Sequence, residues 1–313
     1  YVGTTEGSIW RFTLDDNSNL IEQFRSNVLQ GTQILGIAFH PKDTDPNDIK
    51  VYVSFNVLYQ AYQGLGSDMK AGVSIISGAN LDQRNDIVTG LDDSERDHGV
   101  NGLGFNQEGK LMILAGSNTN GGIPGPLQIT STHPEKIYTA AMLIADIDKP
   151  NFDGRIAFAN NDNFNGPQTA GNDVRIYATG IKNGFSMLFH TNGLLYVIDN
   201  GPTAGLGKIS TGCNTDGGEP ASIDKLNIVE EGRYYGHPNR ARGTKDDRQC
   251  RFRWFYEPND GYFTPPISMI ASSMNGIVEY TANTFGGKMR GQMIVSRLNG
   301  ELWHLAISDD GRT

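Results

Sequence analysis

The sequence predicts an all-β fold of the β-propeller type, and three features support this prediction. The 313 residues include 39 glycines, many of them in the NG, DG and GG pairs that join short strands. Helical periodicity is scarce throughout the chain. Instead one pattern recurs, in which an apolar strand, a tight polar turn and a second apolar strand follow one another. A repeated unit of short strands is typical of radial repetition.

The repeated pattern occurs four times in chain order. Its copies are ILGIAFHP with DIKVYVSF, GLGFNQEGKLMILAG, FSMLFHTNGLLYVIDNG and GQMIVSRLNGELWHLAI. The alternative fold is a pair of β-sandwiches, but four hairpins of such similar pattern favour a propeller. The copies lie further apart than the roughly 40 residues of a minimal blade, so we expect loops inserted between strands. One insertion runs from STHPEKIYTA to GPQTAGNDV, and insertions on one face of a propeller usually build its functional site.

The two ends of the chain also read as parts of hairpins. The first residues, YVGTTEGSIWRFTL, predict a strand, a turn and a strand, and the last, ISDDGRT, fall where another strand is due. We therefore expect residues 1–313 to form a single propeller domain that covers an incomplete ring and is truncated at its C-terminus.

The composition is that of an ordinary globular protein, with 37 % hydrophobic residues, 19 % charged residues and a net charge of −9. An acidic balance without a basic run argues against nucleic acid or an anionic membrane as the partner. No apolar stretch approaches the ~20 residues that a membrane-spanning helix needs.

Two cysteines, Cys213 and Cys250, lie 37 residues apart in loop-like sequence. No CxxC pattern or neighbouring histidine pair accompanies them, so they match no zinc pattern. We expect a disulfide that closes this long loop, the alternative being two free thiols. A disulfide would place the protein outside the reducing cytosol, in an extracellular or periplasmic location.

One histidine stands out by its position. His98 precedes the strand of the second repeat, and the hairpin that follows ends in a polar loop with Ser117 and Asn118. Imidazole suits a general base, because its pKa lies near working pH and one nitrogen can accept a proton while the other is held. The residues alone leave two interpretations open, an inert loop histidine and a catalytic base.

Four segments resemble, in order, the glucose/sorbosone dehydrogenase family, whose members are six-bladed propellers that use pyrroloquinoline quinone (PQQ) with calcium. The segments are ILGIAFHPKDTDPNDIKVYVSF, DHGVNGLGFNQEGKLMILAGSNTN, YATGIKNGFSMLFHTNGLLYVIDNGP and DKLNIVEEGRYYGHPNR. The resemblance runs from about Tyr1 to the final hairpin, and the GSNTN loop looks closer to the sorbosone and fungal pyranose branch than to the soluble glucose branch. It implies a six-bladed ring and the oxidation of a sugar or polyol hydroxyl.

The resemblance implies catalytic roles for the residues around His98. His98 falls on the general base that takes the proton of the sugar hydroxyl while hydride passes to the quinone. Glucose-type enzymes orient this ring with an acid at the end of the following strand, and this chain has Ser117 there, next to Asn118. A hydroxyl or an amide can fix a tautomer, but it does not stabilise the imidazolium as a carboxylate does.

The resemblance also implies a cofactor site. Lys182 and Asn183 fall where the family usually has Arg-Asn, and lysine keeps the charge for the carboxylates of PQQ but loses the planar fork of arginine. The alternative for Lys182 is a solvated loop lysine. Arg297 lies within a residue of a cofactor-contacting lysine of glucose-type members, and Gln30 and Gln33 bracket a family Gln or Glu near the cofactor edge.

Two calcium positions follow from the same resemblance. Gly201 and Pro202 match the loop whose backbone carbonyls hold the cofactor's calcium, and calcium accepts backbone oxygens readily. The alternative is a plain Asn-Gly-Pro turn. Asp224 and either Tyr234 or Tyr235 align with a second, structural calcium site, to which the tyrosine would contribute its carbonyl.

These patterns support two functions of different classes. The first is a quinoprotein that oxidises a sugar or polyol with PQQ and calcium. The second is a catalytically inactive extracellular propeller that binds a protein or glycan partner or serves a structural role, and Lys182 in place of arginine and Ser117 in place of the acid favour it. A propeller lactonase or hydrolase would need a cluster of carboxylates on a central metal, and the sequence shows no such cluster.

Overall fold

The computed structural model describes residues 1–46, 48–57, 70–93, 98–120, 135–159, 168–203, 223–237 and 263–313. Within these ranges the chain is all-β, apart from a single turn of 3₁₀ helix at Phe285–Gly287. None of the helical structure in the described ranges is long and apolar enough to cross a membrane.

Most strands form five antiparallel sheets, blades I to V, that follow one another along the chain. Blade I consists of β1 (Val2–Gly3), β2 (Ile9–Leu14) and β3 (Leu20–Ser26). Blade II consists of β4 (Thr32–Gln33), β5 (Ile37–Ala38), β6 (Val51–Val57), β7 (Lys70–Ser77) and β8 (Gln83–Asp92).

Blade III begins with β9 (Val100–Phe105), β10 (Leu111–Ala115) and β11 (Ala141–Ala145). A small hairpin, β12 (Ala157–Phe158) and β13 (Gln168–Ala170), precedes its last strand, β14 (Val174–Thr179). Blade IV consists of β15 (Gly184–Phe189), β16 (Leu195–Asp199), β17 (Asp224–Ile228) and β18 (Ser268–Ile270). Blade V consists of β19 (Met274–Tyr280), β20 (Gln292–Arg297) and β21 (Leu302–Leu305).

The inner strands of the blades pack around a common axis, as in a propeller. Strand β9 contacts β5 and β15, and β15 contacts β19. A cavity of about 320 Å³ lies between these strands, and its lining includes Gly36, Gly102 and Gly276. A β-carbon at Gly36 would lie 2.2 Å from the carbonyl oxygen of Asn101, and one at Gly102 would lie 2.9 Å from that of Phe185, so glycine at these two positions lets neighbouring inner strands approach closely.

The repeated pattern of the sequence forms hairpins as predicted. Its four copies become β5–β6, β9–β10, β15–β16 and β20–β21, and the first residues of the chain form β1–β2. The fourth copy differs from the others, because it forms the second and third strands of its blade rather than the first and second.

The described residues form five blades, whereas the family resemblance predicted six. The insertions between strands explain part of this difference, because they lengthen each blade. Blade III alone extends from Val100 to Thr179 and contains the β12–β13 hairpin. With such long blades, 313 residues form fewer sheets than they would at the minimal blade length of about 40 residues.

The hydrophobic core lies between adjacent blades. In β10, Leu111 and Ile113 pack in the cluster shared with blade II, whereas Met112 and Leu114 pack in the cluster shared with blade IV. Successive side chains of a strand point to opposite faces of the sheet, so a strand that is covered on both faces is apolar throughout. This accounts for the uninterrupted sequence LMILA.

Candidate functional site

Three chain segments meet beside the open end of the β9–β10 hairpin. The amide of Gly116 donates to the carbonyl of Gly99 at 2.8 Å, which joins the two ends of the hairpin. The amide of Ser117 donates to the carbonyl of Lys182 at 2.7 Å, which joins blade III to the start of blade IV. These backbone bonds bring His98 close to side chains that follow it by about 20 and 85 residues in the sequence.

The imidazole of His98 is buried and its Nδ1 is held by Ser117. Nδ1 lies 3.1 Å from the carbonyl oxygen of Ser117 and 3.0 Å from its Oγ. The carbonyl only accepts, and the Ser117 hydroxyl already donates to the carbonyl of Thr119 at 2.8 Å. Nδ1 therefore carries the ring proton, and Nε2 is the acceptor. This is the tautomer that a general base needs, with its lone pair on the nitrogen opposite Ser117.

Lys182 lies directly against that acceptor nitrogen. Its Nζ is 3.3 Å from Nε2 of His98, and only 1 % of the residue is exposed. Lys182 is thus not the solvated loop lysine of the alternative interpretation. Burial, followed by the charge of Lys182, holds the pKa of His98 well below its usual value of 6.5, while the bond to the Ser117 backbone opposes this shift.

Asn183 is also buried beside His98. Its Oδ1 accepts from Nδ2 of Asn101 at 2.8 Å, and its amide donates to Asp199 at 2.8 Å. A β-carbon at Gly116 would lie 2.9 Å from both Asn183 Oδ1 and the β-carbon of His98. The absence of a side chain at Gly116 therefore permits the approach of these two residues. Burial raises the pKa of Asp199, which Lys225 and backbone amides oppose.

The loop that contains Gly201 and Pro202 is hydrogen-bonded to the loop that follows the β9–β10 hairpin. Nδ2 of Asn120 donates to the carbonyl of Thr203, and the amide of Thr203 donates to Oδ1 of Asn120, both at 2.9 Å. The amide of Gly201 donates to Asp224 at 3.0 Å. Backbone carbonyls in this loop are thereby held next to the His98 loop, an arrangement suited to a calcium ion that takes backbone oxygens.

The residues predicted for the structural calcium site have other contacts. The carboxylate of Asp224 accepts from the amides of Gly201 and Met274 and from Nδ2 of Asn200. Burial raises its pKa, and these hydrogen bonds oppose the shift. The carbonyl of Tyr234 accepts from the amide of Thr264 at 2.7 Å.

The hydroxyl of Tyr235 donates to the carbonyl of Ile228 at 2.8 Å. In the described part of the chain, neither Tyr234 nor Tyr235 contacts the carboxylate of Asp224. The second calcium site of Asp224 with Tyr234 or Tyr235 therefore stays a prediction.

The remaining cofactor candidates, Gln33, Gln30 and Arg297, belong to three different parts of the propeller. The carbonyl of Gln33 is 3.5 Å from Nδ2 of Asn56, whose amide group also bonds both backbone groups of Val100. This places Gln33 close to the start of β9. Gln30 is exposed in the preceding turn. Arg297 is held within blade V, by Glu301 at 3.0 Å and the carbonyl of Ser272 at 2.9 Å.

Asn118 does not face His98. Its Nδ2 donates to Asp92 at 2.9 Å, and the same carboxylate pairs with Lys136 at 2.8 Å. Its backbone amide donates to Glu135 at 3.0 Å. Asn118 therefore connects the loop to its surroundings, while Ser117 alone of the two orients the imidazole.

Sequence reasoning missed a buried carboxylate, Glu135. It accepts from the amides of Asn118 and Thr119, from the hydroxyls of Thr119 and Thr139, and lies 2.8 Å from Nε2 of His237. Burial opposes its ionisation, but His237 and the hydroxyl donors outweigh this and lower the pKa of Glu135 to about 2. The sequence signal was weak, a lone acid in HPEKIYTAAML directly before an apolar strand.

Two further predictions concern other parts of the chain. Cys213 and Cys250 fall within 204–222 and 238–262, outside the described residues, so the disulfide stays a prediction. Among the residues that are described, no three His, Cys, Asp or Glu side chains are grouped so that they could hold a metal ion.

The antiparallel blades around one axis define a β-propeller, and the buried His98–Lys182 pair lies beside its loops. The sequence profile of the glucose/sorbosone dehydrogenase family matches residues 2–313, and the chain belongs to this family. The resemblance predicted from four segments is thus confirmed. No individually curated relative matches the chain.

Solved structures share the fold at low sequence identity. A glucose dehydrogenase crystal structure is 16 % identical with a TM-score of 0.58, covering 100 % of this chain and 83 % of that one. The PQQ-bound aldose sugar dehydrogenase of Streptomyces coelicolor is 17 % identical with a TM-score of 0.57, covering 98 % and 73 %. The holo PQQ domain of Coprinopsis cinerea pyranose dehydrogenase is 14 % identical with a TM-score of 0.53, covering 97 % and 75 %.

Proposed function

We propose that this protein is a quinoprotein oxidoreductase that oxidises a hydroxyl of a sugar or polyol with PQQ and calcium. The observation that carries this proposal is the buried imidazole of His98, whose Nδ1 proton is fixed on Ser117 and whose Nε2 is an acceptor next to a buried cation. Family membership and the PQQ-bound structures of the same fold support the cofactor.

The chemistry of the site residues fits PQQ. The three carboxylates and adjacent carbonyls of the quinone need fixed cations and donors. Lys182 provides an ammonium, and the neighbouring Asn183 provides a side-chain amide whose bond to Asn200 is long, at 3.3 Å. A carboxylate of the cofactor would stabilise the buried ammonium of Lys182. The backbone carbonyl of Gln33 accepts from Nδ2 of Asn56 near the start of β9. The side-chain amide of Gln33 is our candidate for a further donor to the cofactor.

The protein residues supply a base and a dry environment. PQQ, when bound, provides the quinone that accepts the hydride. Nε2 of His98 takes the proton of the substrate hydroxyl, while Nδ1 keeps its proton on Ser117 and so prevents rotation of the ring. The ammonium of Lys182 occupies the position next to Nε2 that the substrate hydroxyl needs. Lys182 therefore has to move away from Nε2 during turnover.

The carbonyls of Gly201 and Pro202 are our candidates for the calcium ligands. The paired bonds between Asn120 and Thr203 hold this loop and reduce the conformational freedom that binding would otherwise remove. Calcium accepts such backbone oxygens without a dedicated carboxylate cage.

We also propose a six-bladed ring for the single propeller domain. Phe12 and Leu14 on blade I and Val278 and Leu302 on blade V are exposed large apolar side chains. A further blade between these two faces would cover them, as the other blades cover one another. We keep the Cys213–Cys250 disulfide and an extracellular or periplasmic location as parts of the proposal.

A second function is favoured by one observation. The ammonium of Lys182 lies on the lone pair that a substrate hydroxyl would use. A propeller in which this contact is permanent would be catalytically inactive and would serve as an extracellular protein- or glycan-binding module.

The deciding experiment is a PQQ titration of the calcium-loaded protein, read by tryptophan quenching and cofactor absorbance. Dye reduction with a panel of aldoses, ketoaldoses and polyols follows. We expect calcium-dependent binding and turnover with one substrate class, and we expect His98→Gln to bind PQQ without turnover. His40→Gln is the matched control, because His40 is also a buried ring bonded to a backbone carbonyl, that of Gly109. Failure to bind PQQ would favour the binding module.

A further inference from the structure

The acid that the sequence lacks next to His98 has a counterpart, Glu135, that is linked to the imidazole by three hydrogen bonds in series. We infer that Glu135 is a positioning residue that fixes the tautomer and orientation of His98 through Thr119 and Ser117. The inference deepens the proposed function, since it concerns the base of that reaction. Its main test, however, measures the tautomer of His98 in the protein without cofactor.

Glu135 fixes both the backbone and the side chain of Thr119. One oxygen of Glu135, Oε1, accepts both the amide and the hydroxyl of Thr119, at 2.9 Å and 2.5 Å. The other oxygen accepts the amide of Asn118 at 3.0 Å and the hydroxyl of Thr139 at 2.6 Å. Two consecutive backbone amides and one side chain of the loop are therefore fixed by one carboxylate.

The hydroxyl of Ser117 connects Thr119 to the imidazole of His98. With Thr119 fixed, its carbonyl accepts the hydroxyl proton of Ser117 at 2.8 Å. The lone pairs of Ser117 Oγ are then left to face Nδ1 of His98 at 3.0 Å. If the Ser117 hydroxyl turned, it could donate to Nδ1 and compete with the Ser117 carbonyl, which lies 3.1 Å from Nδ1 and favours the proton there. The fraction of rings with the proton on Nε2, the wrong tautomer for a base, would then rise.

Glu135 has to be an ionised carboxylate to accept all of its hydrogen bonds. Four donors converge on its two oxygens, and a carboxylate can accept all of them. A glutamine has only one accepting oxygen, and its NH₂ group would face two of those donors. The side chain of His237, 2.8 Å from Oε1, adds a contact from a segment whose amide donates to Gly180, so the carboxylate is held from blade IV as well.

The test is a double-mutant cycle of Glu135→Gln and Ser117→Ala, read by 15N NMR of His98 in the protein without cofactor. Wild type should show a single Nδ1-protonated tautomer, and Glu135→Gln should show a mixture. In the loaded enzyme we expect kcat to fall about 10- to 100-fold with KM nearly unchanged. The double variant should be no worse than the more damaging single variant, because both changes act along one path.

A matched control exists elsewhere in the molecule. Glu279 lies 3.7 Å from His190 and accepts the amide and hydroxyl of Thr191, so it is a carboxylate–histidine–threonine group without contact to His98. Glu279→Gln should leave the His98 signals unchanged. Thr139→Val removes one donor from Glu135 without changing its charge, and it replaces Glu135→Gln should that variant fail to fold. We expect it to shift the His98 signals in the same direction by less.

An unaltered His98 tautomer in the folded Glu135 or Thr139 variant would overturn the inference, as would strictly additive losses of kcat in the cycle. The NMR result is independent of turnover. If the protein fails to bind PQQ but Glu135→Gln still shifts the His98 tautomer, the proposed function fails and the positioning role stands.

Discussion

Nζ of Lys182 and Nε2 of His98 lie 3.3 Å apart in a buried part of the molecule, so a cation occupies the accepting nitrogen of the candidate base. This contact has two opposite consequences. The ammonium holds Nε2 in its unprotonated, accepting form, and its positive charge disfavours a second proton on the imidazole. A ligand that draws the ammonium away would therefore strengthen the base at the moment it binds.

The charge of Lys182 can be tested through the titration of His98. Lys182→Met should raise the pKa of His98 toward its usual value, because the second largest cause of its depression is removed and only burial remains as a major cause. The measurement is an NMR pH titration of the imidazole. Lys182→Arg keeps the charge and should leave the pKa low. An unchanged pKa in the methionine variant would show that burial alone depresses it.

The same pair of variants tests the cofactor site by binding. Lys182→Met should weaken PQQ binding at least tenfold, because a charge-assisted hydrogen bond is worth about 1.5–3 kcal/mol. Lys182→Arg should bind as tightly or more tightly, since its planar fork matches a carboxylate. Fluorescence titration gives both affinities. Equal binding by all three proteins would remove Lys182 from the cofactor site.

The link between Asn120 and Thr203 predicts a calcium effect. Asn120→Ala removes both bonds to the loop of Gly201 and Pro202, so we expect calcium affinity to fall by about tenfold, as for the loss of about 1.4 kcal/mol. Isothermal titration with calcium measures it. Asn106→Ala is the control, because Asn106 bonds two amides of the turn at the other end of the same hairpin. Similar losses in both variants would indicate general loosening of blade III.

Asp93 predicts a pH dependence of stability. Burial raises its pKa from the usual 3.8 to about 8, so the folded state keeps a proton that the unfolded state releases between these values. The contribution of Asp93 to stability therefore falls as pH rises through this window. Asp93→Asn cannot ionise and can still accept the amide of Val57. The free energy of unfolding of Asp93→Asn should exceed that of the wild type by about 1–4 kcal/mol at pH 8 and equal it near pH 4.

Urea unfolding at pH 4 and pH 8 measures this difference in the free energy of unfolding. Asp16→Asn, in an exposed turn of blade I, is the control and should follow the wild type at both values. A stability difference for Asp93→Asn that is the same at both pH values would contradict the buried acid.

The sequence predicted the local structure well and the long-range contacts poorly. Each hairpin was predictable, because the turn glycines and the apolar strands are neighbours in the chain, and LMILA needed only the rule for strands covered on both faces. The number of blades was not, because the length of an insertion does not reveal how many strands it separates.

The candidate site shows the same limit. His98, Ser117 and Lys182 were identified through the resemblance, but the burial of Lys182 against the imidazole depends on packing between two blades. Glu135 was missed because its partners Thr119 and His237 lie 16 and 102 residues away in the chain. No periodicity within one strand records such a contact.

Strand β10 shares its side chains between two clusters, with Leu111 and Ile113 on one face and Met112 and Leu114 on the other. Local opening of blade III would expose both of its neighbours to water at once, so its unfolding cannot be confined to one sheet. Blades II, III and IV should therefore exchange their amide hydrogens as one cooperative unit. The loop that carries Ser117 leaves directly from this strand, so the residue that orients the candidate base is attached to this cooperative unit.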